Sequence, residues 1–138
     1  MANRWDALAR ELAERDAGLR DDLRRAWESA AALRERVATA VDRFRRAALA
    51  AAADHLCDVQ VSAVGPDEKH VDCVRFRVSR GRVEALCVAK ASGKITLVGP
   101  FKRGGKEGPC GDYPLSGPEV EKALDARIEA LIRQASER

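Results

Sequence analysis

An α+β fold is predicted: a long N-terminal amphipathic helix of coiled-coil type, a four-stranded antiparallel meander and a C-terminal amphipathic helix. Three observations predict it. Residues 3–53 hold no proline and one glycine among abundant Ala, Leu, Arg and Glu, all favourable in helices. Apolar periodicity then changes from near 3.6 to 2 over residues 57–98. After a Gly- and Pro-rich stretch, helical spacing returns beyond Pro118.

The first helix carries apolar residues at Trp5, Leu8 and Leu12, then at Leu23, Ala26, Ala30, Leu33, Val37, Ala40, Phe44, Ala47 and Ala51. Alternating steps of three and four make a heptad seam. The step from Leu12 to Leu23 breaks that register, and Gly18 lies inside it, so a change of phase with a bend or break is expected there. Small residues at Ala26, Ala40 and Ala47 imply close approach of neighbours, and Trp27, Val41 and Ala48 widen the stripe as in a helix covered by more than one element.

Alternation begins at Cys57-Asp58-Val59-Gln60-Val61-Ser62-Ala63, a half-buried strand, and Gly65-Pro66-Asp67-Glu68 supplies a turn. Val71 to Ser79 puts Val74, Phe76 and Val78 on one face and Cys73, Arg75 and Arg77 on the other. Arg80-Gly81 and Ala91-Ser92-Gly93-Lys94 turn the chain into two further strands, Val83 to Lys90 and Ile95 to Val98. Residues 99–117 are dense in Gly and Pro and read as a loop. Ser116-Gly117-Pro118-Glu119 has capping spacing, and Val120, Leu124, Ile128 and Leu131 follow at helical intervals. The expected division is an assembly segment over 1–53 and a small α+β unit over 54–138, with its sheet in 56–98, loop in 99–117 and helix in 118–136.

At 138 residues the chain suits one domain, or one with a helical extension, rather than two full cores. A 46% hydrophobic content excludes wholesale disorder, and 4% aromatics leave Ala, Leu and Val to build the core. No apolar run is long enough to span a bilayer, and charges interrupt the N-terminus where a signal peptide is apolar, so a cytoplasmic protein is expected. Cys57, Cys73, Cys87 and Cys110 lack zinc-ligand spacing, and no metal or cofactor is expected.

A fifty-residue helix, about 75 Å long at about 1.5 Å per residue, outruns strands of about 30 Å. Its uncovered stripe predicts a homodimer joined through Trp5, Leu8, Leu12, Leu23, Trp27, Leu33, Val37 and Phe44. The alternative is a monomeric hairpin broken at Asp16-Ala17-Gly18.

Net charge is only +3, from 25 basic and 22 acidic residues, so total charge identifies no nucleic-acid binder. Basic residues concentrate between Lys69 and Lys106. Arg75, Arg77, Arg82, Lys94, Lys102, Arg103 and Lys106 are the candidates for contact with an acidic protein or a nucleic-acid backbone; otherwise they simply solvate an outer sheet face. The loop from Gly99 to Glu107 lacks the P-loop spacing and a following helix, which argues against nucleotide hydrolysis. His55 and His70 have no nucleophile-and-base pattern around them, and Cys110 is an ordinary loop thiol with Lys106 nearby. No catalytic residue is assigned, and a non-enzymatic interaction protein is expected.

The order of long helix, antiparallel meander and terminal helix resembles that of the YbaB-type nucleoid-associated proteins. That resemblance lies in element order alone and implies a small dimer that binds DNA without sequence specificity. In outline the chain is equally similar to scaffold modules that carry an α/β head on a coiled-coil stalk.

Overall fold

A computed structural model describes residues 3–67, 70–106 and 108–137. Helix α1 (Arg4–Ala50) is continuous over 47 residues. Asn3 caps it, its side-chain oxygen accepting from the Trp5 and Asp6 amides at 2.9 and 3.0 Å. The helix passes through Gly18 without a break, where an added Cβ would meet nothing within 4 Å. A hairpin at Asp16-Ala17-Gly18 is thereby ruled out for this chain.

The expected heptad seam is corrected as well. Residues buried on α1 are Ala26, Ala30, Leu33, Val37, Val41 and Ala48, whereas Ala40, Ala47 and Ala51 are exposed. Leu8, Leu19, Ala30 and Val41 recur every eleven residues, as do Ala26, Val37 and Ala48. Eleven residues are three turns at 3.67 per turn, close to the intrinsic pitch of a straight helix. The step from Leu12 to Leu23 therefore keeps phase, and the face that meets the sheet continues along the whole of α1.

After α1, Ala52 turns the chain at φ 56°, and a 3-10 turn spans Asp54–Leu56. The sheet comprises β1 (Gln60–Val61), β2 (Gly65–Pro66), β3 (Cys73–Arg80), β4 (Val83–Lys90), β5 (Lys94–Lys102) and β6 (Cys110–Pro114), all antiparallel. Their order is β1-β3-β4-β5-β6, with β2 beside β1 along the same edge of β3. Six strands replace the expected four.

The long strand expected over 57–63 shrinks because side chains take over its ladder bonds. Arg45 donates to the Cys57 carbonyl at 3.2 Å and to the Val59 carbonyl. The Arg77 amide donates to Ser62 Oγ at 2.8 Å, which separates β1 from β2. Of the turn expected at Gly65-Pro66-Asp67-Glu68, the first two residues form β2 instead, and Glu68 lies outside the described residues. β5 runs on to Lys102 through a register shift opposite Glu84 and Leu86. Gly99 makes that possible: its φ is 96°, and a Cβ there would sit 2.8 Å from the Glu84 carbonyl oxygen. β6 then returns along β5 through residues expected to be loop, with Pro114 tolerated at its outer end.

Both helices cover one face of the sheet, α1 over β3 and β4, α2 (Pro118–Ser136) over β4 and β5. Between them and the sheet lie Val74, Phe76, Val78, Ala85, Cys87, Ala89, Ile95 and Leu97 from the strands, with Val120, Leu124, Ile128 and Leu131 from α2. The second half of α1 is a wall of this core, so residues 54–138 do not close it alone.

Candidate functional site

The arm of α1 ahead of Leu23 has no element of its own protomer beneath it. Trp5, Leu8, Leu12 and Leu19 are 63, 42, 48 and 41% exposed, all on the face that packs on the sheet from Ala26 onward. Arg4 lies 5.2 Å from the Trp5 ring centroid, and Arg20–Asp16 and Arg24–Asp21 pairs at 3.0 and 2.9 Å solvate the remaining surface. Of the other residues expected in the assembly seam, Trp27 is exposed, Leu23 and Phe44 are half-buried against the core, and Leu33 and Val37 are buried inside it. Leu33 and Val37 thus face the sheet rather than a partner, because their spacing keeps them on the face of Ala26 and Ala30. Leu19 belongs to the exposed stripe as well, one heptad beyond Leu12, although the charged register positions Arg15 and Asp22 on either side of it interrupt the seam.

The basic residues divide between the two ends of the sheet. Arg82, Lys102, Arg103 and Lys106 gather where the β3–β4 turn meets the loop after β5, the Arg103 amide donating to the Arg82 carbonyl at 2.7 Å. Glu84 lies among them, 3.4 Å from Arg103 and 3.7 Å from Arg77, and so neutralises part of the cluster. Arg82, Lys102 and Lys106 are exposed and form no ion pair among the described residues. Lys94 sits at the opposite end beside Pro114, and Arg75 lies midway on the outer face. Lys69, counted with the basic stretch, and Glu107, in the glycine-rich loop, lie outside the described residues.

That loop is tethered: the Arg127 guanidinium donates to the Gly99 and Pro109 carbonyls at 2.7 and 2.8 Å. Arg80 is similarly buried at 8% exposure, donating to Asp58 at 2.7 Å, to Ser136 Oγ at 2.6 Å and to the His55 carbonyl at 3.3 Å. His55 is therefore engaged only through its backbone there, while the His70 ring lies 3.1 Å from Asp67.

Sequence reasoning gave no sign of an open groove of about 930 Å³ between α1 and α2, floored by Val37, Val41, Phe44, Ile128 and Ile132. Arg36 bridges it to Asp125 at 2.8 Å, and that carboxylate raises the Arg36 pKa. Burial pushes the Cys87 thiol up to about 12 and also raises Cys73. Cys110 is exposed, with its thiol near the Gly108 carbonyl at 3.7 Å. Among the described residues, no group of His, Cys, Asp or Glu is placed to hold a metal ion, and no helix is long and apolar enough to cross a membrane. No protein-family model, curated protein or solved structure matches the chain.

Proposed function

We propose that the protein is a non-enzymatic, homodimeric interaction protein: α1 joins two copies, and each α/β body presents a basic sheet end to an acidic protein partner. One observation carries the reading. A continuous helix projects past its own sheet with Trp5, Leu8, Leu12 and Leu19 exposed on a single face. An apolar stripe of that length left in water favours association, and a second copy always offers the matching stripe. Arg82, Lys102 and Lys106 supply the unneutralised charge for the partner, and the adjoining loop supplies backbone donors.

Sedimentation equilibrium across a micromolar concentration series tests the assembly. A dimer mass is expected, falling to the monomer mass in Leu12→Glu; a monomeric wild-type protein contradicts the reading. A second reading, contact with a nucleic-acid backbone, rests on the same exposed cations. It requires retention of mixed DNA or RNA at low salt, lost steeply as salt rises and weakened by Lys102→Glu.

A further inference from the structure

We infer that two arms pair antiparallel, face to face, with Leu12 of each copy at the dyad, so that each arm continues the apolar floor where the other copy's sheet ends. This rests on the homodimer reading and goes beyond it by fixing direction and register.

Direction follows from phase. Trp5, Leu8, Leu12 and Leu19 share the helix face that, from Ala26 on, lies against the sheet. Parallel pairing on that face forces both sheets into the single gap between the two α1 helices. Packed helices are roughly 8–10 Å apart, and a face-to-face layer of sheet alone needs about 10 Å. α1 runs through Gly18 as one uninterrupted helix, so the arm and the sheet-covering half share one face. Antiparallel pairing removes the conflict by sending the two sheets to opposite ends.

Register follows from length. The arm from Arg4 to Asp22 is about 28 Å long at about 1.5 Å per residue. The second copy's arm can slide along α1 only until it meets the α/β body, against whose core Leu23 already packs. The two arms then overlap almost fully, and Leu12 is the stripe residue beside their midpoint at Ala13. Trp5 and Leu19 are each seven positions from Leu12, so Trp5 of one copy meets Leu19 of the other, a large ring against a branched side chain at both ends. The sheet end that receives the incoming N-terminus carries Val71, 92% exposed beside the Asp72–Ala91 contact.

Cysteine pairing in a Cys57→Ser, Cys110→Ser background tests this, oxidised by dioxygen with a copper catalyst. Leu12→Cys alone is expected to give a covalent dimer. An equimolar mixture of Trp5→Cys and Leu19→Cys is expected to give the covalent heterodimer, while neither variant links to itself. Self-linking of Trp5→Cys overturns the direction, and a protein that sediments as a dimer yet forms none of these links overturns the register. A monomer in sedimentation overturns the homodimer reading itself, which separates the two failures.

Discussion

The two halves of α1 have the same periodicity and different surroundings. From Ala26 to Ala48 each eleventh residue is buried against the sheet, whereas from Trp5 to Leu19 the corresponding residues face water. The difference lies in what stands beneath: strands of eight or nine residues cannot underlie a helix of 47. A single amphipathic pattern thus serves two purposes, core formation where the sheet reaches and association where it stops.

Truncation separates the halves most sharply. Leu33→Ala is expected to destabilise the fold by about 3 kcal/mol in chemical denaturation, because it opens a cavity among Ala30, Val37 and the strands. Leu12→Ala should leave the dilute protein within about 0.5 kcal/mol of wild type. Equal losses would dissolve the distinction between the halves. Next in size is Arg80→Ala, expected to cost about 2 kcal/mol in the same assay by releasing Asp58, Ser136 and the His55 carbonyl at the far end of the body.

Gly18→Ala should raise helix content by circular dichroism, adding about 1 kcal/mol of local helix propensity, while the denaturation midpoint of dilute protein stays nearly fixed. A full shift of the midpoint would mean that the arm folds as one unit with the body. Ala52→Gly, relieving φ 56° at the other end of α1, should stabilise by about 0.5 kcal/mol, since the left-handed cost narrowly exceeds the chain entropy glycine adds.

Titration gives the final contrast. The arm carries no cysteine, whereas Cys87 sits in the core with its thiol pushed up from 9.0 to about 12. A pKa raised on folding means stability is fully present below pH 9 and lost as pH climbs toward 12. Alkaline denaturation of Cys87→Ala should begin at higher pH, once its lower starting stability at neutral pH is subtracted.

Much of this was legible in the sequence. The long helix, the alternating faces of β3 and the closing helix follow from spacing alone, because each repeats its apolar signal several times. The phase of α1 did not, since heptads and eleven-residue repeats coincide over short windows and only burial of Val41 and Ala48 separates them. β6 was masked by Gly111 and Pro114, residues that oppose strands in general and are accommodated at this sheet edge. The shortened first strand depended on Arg45 and Ser62 substituting for backbone partners, a long-range replacement that no local pattern announces. Glu84 within the basic cluster required the β3–β4 register to be known.

The central claim is that the arm is ordered by a second copy and the rest of α1 by its own sheet. Amide hydrogen exchange of wild-type protein at two concentrations, one well above and one well below the dimer midpoint, tests it directly. Protection of residues 26–48 should be the same at both, while protection of residues 5–19 should be strong in the concentrated sample and lost in the dilute one. Arm protection that does not change with concentration would contradict the account.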